Sequence, residues 1–226
     1  MTLQAIGLVG GRGPHARAHP LFGDLSVSLG EGESLRVTGR NGSGKSTLLR
    51  TLCGLIEPLA GELLWRGRSV RRDGTALRSE LLYIGHALGL KDDLSALENL
   101  RVAQALAGRP CSEAQALQAL QALGLGPRTA GAPARTLSQG QKRRAVLARL
   151  ALPVDLVAPG LLVLDEPFNA LDTDSVAQLT ALLTQRLAQG AMLIYTTHQD
   201  QSVPARQAQT WHLGVAESAE PAGRVA

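Results

Sequence analysis

Two segments of this 226-residue sequence carry residue types that can act on a phosphorylated substrate. The first is Gly39-Arg40-Asn41-Gly42-Ser43-Gly44-Lys45-Ser46, followed by Thr47, which matches the pattern G-x-x-x-x-G-K-[ST] between a strand and a helix. Its glycines let the backbone curl so that successive N–H groups face phosphate oxygens, and a helix beginning near Lys45 adds its positive N-terminal end. Lys45 offers the outer phosphates a point charge, and the Ser46 hydroxyl is an oxygen ligand for Mg²⁺. The second segment is Asp165-Glu166-Pro167, directly after the apolar run Leu161–Leu164. Carboxylates at the carboxyl end of a buried strand stand where ligands bind in parallel α/β sheets. Adjacent acids can divide the labour, Asp165 holding Mg²⁺ and Glu166 orienting and deprotonating an attacking water. Taken alone, the acid pair also reads as a helix cap after a strand. Beside a phosphate loop it reads as the hydrolytic half of a nucleoside triphosphate site.

Three shorter pieces accompany them. Leu137-Ser138-Gln139-Gly140-Gln141 precedes a helical run, Lys142–Ala151, and Asn169-Ala170-Leu171-Asp172 follows the acid pair. Thr196-Thr197-His198 closes a later strand and brings an imidazole to the same sheet edge, within reach of a γ-phosphate.

The elements that must position these residues alternate between short apolar runs and helical spacing, which predicts an α/β fold. Strands are expected at Leu3–Val9, Leu25–Leu29, Ser34–Thr38, Leu63–Trp65, Leu81–Ile84, Leu161–Leu164 and Ala191–Thr196. Helices are expected at Lys45–Cys53, stopped by Gly54, and at Ser175–Leu187, stopped by Gly190. Between about Leu88 and Leu152 the texture is helical: Ser95 with Glu98, and Ser112 with Gln115, form capping-box patterns. The second opens a helix with Gln-Ala-Leu three times in succession, read as an Ala/Leu-rich surface helix. The tail 216–226 mixes charge, Pro and Gly and reads as frayed.

Composition narrows the function further. Aromatic residues are only 3%, too few for a single-strand stacking platform. The net charge of +4 rests on arginine, with Lys45, Lys91 and Lys142 the only lysines. The clusters Arg66/Arg68/Arg71/Arg72 and Lys142/Arg143/Arg144 are too short for a duplex footprint, so no nucleic-acid partner is expected. No apolar run approaches the roughly 18 residues that cross a bilayer, and the N-terminus lacks a secretory pattern. Cys53 and Cys111 have no metal-ligand spacing and read as reduced thiols.

In this order the motifs resemble the ATP-binding subunits of ABC transporters, over residues 2 to 213. The resemblance implies a P-loop NTPase fold of the ABC type, with an inserted helical lobe at about 88–152 and a small N-terminal antiparallel β region. Residues 1–215 would form one nucleotide-binding domain. It also implies that residues 39–47 bind ATP with Mg²⁺, and that ATP lies between two copies of the chain, closed over by Ser138 and Gly140 of the other copy. The position where most of this family carries a glutamine is His86 here, whose neutral imidazole has one donor and one acceptor. Gln139 replaces the first of two usual glycines. In the window Gly13–His19, where the family stacks an aromatic ring on adenine, His15 is the nearest substitute.

More narrowly, Gly61–Gly67, Tyr83–His86, Leu94–Leu100, Asp165–Ala170 and Thr196–Gln199 resemble the haem-exporter ATPases of c-type cytochrome maturation. That implies an ATPase peripheral to the cytoplasmic face of a bacterial inner membrane, docked on integral membrane subunits near His86–Glu98. It would couple hydrolysis to haem export or to release of a haem-loaded carrier. The alternatives are an ABC exporter for another substrate and a soluble ABC ATPase outside transport.

Overall fold

The computed structural model of the chain describes residues 2–11, 19–157, 160–198 and 200–214. His15 and the tail 216–226, both singled out above, lie outside the described residues. Strands β1 (Thr2–Gly10), β2 (Phe22–Gly30), β3 (Glu33–Gly39) and helix α1 (Lys45–Leu52) open the chain. Next come β4 (Ala60–Trp65), β5 (Arg68–Ser69), α2 (Thr75–Ser79) and β6 (Leu81–Ile84). Helices α3 (Ala96–Leu106), α4 (Glu113–Ala122), α5 (Pro127–Ala130) and α6 (Gln139–Leu147) follow before β7 (Leu161–Leu164). The chain closes with α7 (Thr173–Ala188), β8 (Met192–Thr196) and β9 (Gln207–Leu213).

Two sheets result. One has the order β2-β1-β4-β5 and is antiparallel; the other, β6-β7-β8-β3-β9, is parallel throughout. The alternation of side chains along a strand divides the interior into two cores. On one face of the parallel sheet, Leu82, Ile84, Leu162, Leu164, Leu193 and Tyr195 pack with α7 and the helices between β6 and β7. On the other, Leu35, Val37, Leu161, Val163, Met192 and Ile194 pack with α1 and the antiparallel sheet. All four residues of β7 are buried, as a strand covered on both faces requires.

The helical segment is held at its entrances by local chemistry. Both expected capping boxes are present, Ser95 with Glu98 and Ser112 with Gln115. Buried Asn99 pins the loop ahead of α3, its amide donating to the carbonyls of Lys91, Leu94 and Ser95 and accepting from the Lys91 N–H. The Gln-Ala-Leu helix is more than a surface helix, since Ala116, Ala119 and Leu120 are buried in the first core.

Candidate nucleotide site

The parallel sheet brings four connections to one edge. The glycine loop leaves the carboxyl end of β3, Gly85-His86 leaves β6, Asp165-Glu166 leaves β7, and Thr197-His198 leaves β8. Register sets their depth. Leu164 lies opposite both Ile84 and Tyr195, so Asp165 arrives level with Thr196, and its N–H donates to Ile84 O at 2.8 Å.

The loop is shaped by its glycines. Gly39 has φ +142°, and a Cβ there would lie 2.4 Å from Leu213 O; Gly44 has φ +95°, with Leu21 Cβ 2.9 Å from the place of its own. Gly42 also has positive φ, +82°, and faces open space. Lys45 is only 7% exposed, and its Nζ donates to Gly39 O at 2.8 Å and Arg40 O at 2.9 Å, folding the ammonium over the loop. Ser43 Oγ is buried without a hydrogen-bond partner among the described residues, an orphaned donor in a cradle of amides that an anionic oxygen would satisfy. Arg40 and Asn41 are exposed, and Thr47 is buried on α1.

The acid pair is wired to the loop through one chain of hydrogen bonds. Ser46 Oγ donates to Asp165 Oδ2 at 2.7 Å, and Thr196 Oγ1 donates to Asp165 Oδ1 at 2.8 Å. The same Thr196 oxygen accepts the Glu166 N–H at 2.7 Å. Glu166 has φ +52°, a left-handed conformation that costs a non-glycine residue of order 1–3 kcal/mol, so its surroundings must hold it there. Its carboxylate meets His198 Nε2 at 2.5 Å on one oxygen and accepts from the Asn169 amide on the other.

Beneath the pair lies Arg143, 5% exposed. Its guanidinium donates to Glu166 O at 2.5 Å, Asp165 O at 3.1 Å and Gly85 O at 3.4 Å, joining α6 to the ends of β6 and β7. Burial pulls this guanidinium below the usual arginine range, while the charges of Asp165 and then Glu166 pull it back up.

The remaining candidates are placed differently. His86 is exposed immediately after Gly85. Ser138 caps α6, its Oγ accepting the Gln141 N–H at 3.2 Å. Gly140 abuts the turn after the acid pair, since a Cβ there would lie 2.7 Å from Ala170 O. Within one chain, Lys45, Ser46, Asp165, Glu166 and His198 therefore form one cluster, while Ser138 and Gly140 belong to the helical segment.

The donor set suits a hard cation: a hydroxyl and a carboxylate, both oxygen, 2.7 Å apart. Among the described residues no three His, Cys, Asp or Glu side chains group as metal ligands. Residues 22–169 match the family described as ABC transporter. The chain is 48% identical over 80% of its length to the cytochrome c biogenesis ATP-binding export protein CcmA of Nitrosomonas europaea, covering 83% of that protein. It is 43% identical over 91% of its length to the CcmA of Pseudomonas aeruginosa, covering 97% of it. Its fold is similar, with a TM-score of 0.72 at 23% identity, to a dimeric ATP-binding cassette solved in a post-hydrolysis state with ADP and Pi; 87% of this chain and 88% of that one are covered. A family match over most of the sequence, joined by relatives this similar along nearly their whole length, means that the chain belongs to the ABC transporter family, in its CcmA branch.

Proposed function

We propose that the chain is the ATP-hydrolysing subunit of an ABC transporter of c-type cytochrome biogenesis, coupling hydrolysis to haem export or to release of a haem-loaded carrier. The observation that carries the reading is the unbroken chain of contacts from Ser46 through Asp165 and Thr196 to Glu166 and His198. It ties a phosphate loop to a carboxylate base, and the CcmA relatives supply the pathway.

The amides of residues 39–47 receive the phosphates, and Lys45 swings from its loop carbonyls onto the outer ones. Ser46 and Asp165 would hold Mg²⁺, which when bound neutralises phosphate charge. Glu166 accepts a proton from water while the water oxygen bonds to the γ-phosphorus and the bond to the β-phosphate oxygen breaks, giving ADP and phosphate. Because Glu166 and His198 meet at 2.5 Å, they must part to admit the water and the γ-phosphate, after which His198 contacts that phosphate. A second copy supplies Ser138 and Gly140, closing over the phosphates, and the dimeric ATP-binding cassette of similar fold supports this reading. His86, at the start of the loop that Asn99 pins, is the coupling residue toward integral membrane subunits.

Residues 1–215 act as one nucleotide-binding domain with the lobe 88–152 inserted. The chain works peripherally at the cytoplasmic face of the bacterial inner membrane; no helix among the described residues is long and apolar enough to cross it.

Glu166→Gln tests the chemistry. ATP binding should persist while hydrolysis falls roughly 10²–10⁴-fold, the scale of a lost general base. Turnover at the unaltered rate would place the base elsewhere. Deletion of the gene should abolish c-type cytochromes, and cells that keep them refute the pathway.

A further inference from the structure

At the amino end of β6, opposite the edge that carries Asp165 and Glu166, three arginines line a small, largely enclosed cavity of about 90 Å³, with Arg78 Nη2 also donating to Thr75 Oγ1 at 3.3 Å. Arg78 comes from the end of α2, Arg109 from just after α3, and Arg149 from the short 3₁₀ turn Ala148–Ala151 that continues α6. Among the described residues no Asp or Glu lines the cavity. Arg149 Nε is shielded from solvent and has no hydrogen-bond partner among them. Burial, and then repulsion from Arg109, hold the Arg149 guanidinium below the usual arginine range. The walls are tied by other contacts: Arg109 donates to Ser79 O, and Gln104 donates to Leu156 O at 2.7 Å.

Such a grouping is unfavourable by itself. A buried donor without an acceptor loses its hydration for nothing, and like charges drawn together repel. An acceptor-only group with more than one negative charge removes both penalties at once, through charge-assisted hydrogen bonds. The cavity is small and largely enclosed, which suits a compact tetrahedral ion.

We propose that the cavity lined by Arg78, Arg109 and Arg149 binds a free inorganic oxyanion of the phosphate class, at a second site remote from the glycine loop. The bound ion clamps the continuation of α6 against the amino end of β6 and the exit of α3, so that occupancy stiffens the seating of the helical segment on the sheet. The site depends on none of the nucleotide-binding residues, and it stands or falls separately from the proposed pathway.

The test is thermal unfolding of the purified chain with ADP saturating, so that the glycine loop is already filled. Unfolding is measured in chloride and in about 20 mM phosphate at matched ionic strength. Phosphate should raise the wild-type Tm by about 2 °C or more, the scale expected when an ion binds only the folded state. The rise should vanish in Arg109→Gln, and Arg149→Lys, which keeps the charge but loses Nε, should show a smaller one. Should Arg109→Gln fail to fold, exposed Arg78→Gln carries the same comparison. A wild-type chain that does not respond, or a variant that responds as fully as wild type, overturns the proposal.

Discussion

Thr196→Val replaces one hydroxyl with a methyl of nearly the same shape, at a residue with no solvent exposure. The oxygen makes two bonds that valine cannot: it accepts the Glu166 N–H at 2.7 Å and donates to Asp165 Oδ1 at 2.8 Å. A neutral bond contributes about 1 kcal/mol net and one to an ionised group about 1.5–3, so the pair together contribute roughly 2–4 kcal/mol. For a chain of this length, 1 kcal/mol moves Tm by about 2–4 °C, which makes the expected fall about 4–16 °C. Function should suffer in step, because the lost bond is one of those that hold the Glu166 backbone in its left-handed conformation. Scanning calorimetry of the purified chain beside steady-state ATPase reads both effects, with ATP affinity expected to change little. Thr196→Ser, which keeps the hydroxyl, should stay near wild type in turnover. A valine variant melting within about 1 °C of wild type, or a serine variant as impaired as valine, would refute this account of the acid pair.

Lys45→Ala should abolish productive ATP binding, since the cation folded over the loop carbonyls is lost; equilibrium binding as tight as wild type would contradict the loop assignment. Hydrogen bonding from the Ser175 side chain, and then from its backbone N–H, holds the Asp172 carboxyl below its ordinary range at the start of α7. A lowered carboxylate adds stability that is complete above its unfolded value, near pH 4, and is lost as pH falls through the lower folded value. The Tm difference between wild type and Asp172→Asn should therefore shift progressively below pH 4, and a gap constant from pH 6 to pH 3 would speak against it. Burial pushes the Cys53 thiol far above its ordinary range, and the side chain is fully enclosed. Native protein at neutral pH should leave Cys53 unlabelled by iodoacetamide, with labelling on denaturation; labelling at a rate typical of free thiols would show that the second core opens.

The glycine loop, the acid pair and both capping boxes were legible in the sequence because each rests on local chemistry at fixed spacing. Other elements depend on partners far along the chain. Strand β9 reads as polar, with Gln207, Gln209, Thr210 and His212, yet it pairs with β3 from Glu33 through Gly39 at a sheet edge where alternation carries little signal. The start of α7 falls two residues before the expected Ser175, because Asp172 serves as its cap. Arg143 reads as part of a solvated basic triplet, but its spacing held the clue. Val146 and Leu147 lie three and four residues on and are buried, so Arg143 shares their inward stripe. Thr196 gave no comparable signal: every residue of β8 is buried, so polarity along the strand could not distinguish a packed threonine from one bridging two acids.

The contact between Gly140 and Ala170 has a mechanical consequence. Ala170 is next in sequence to Asn169, whose amide grips the Glu166 carboxylate, and two residues from Asp172, which starts α7. With no side chain between the two backbones, the tip of the helical segment has no slack against this turn. A push delivered to that segment by a docked protein is therefore felt within four bonded residues of Glu166. That lever runs through a position where even a methyl group would not fit.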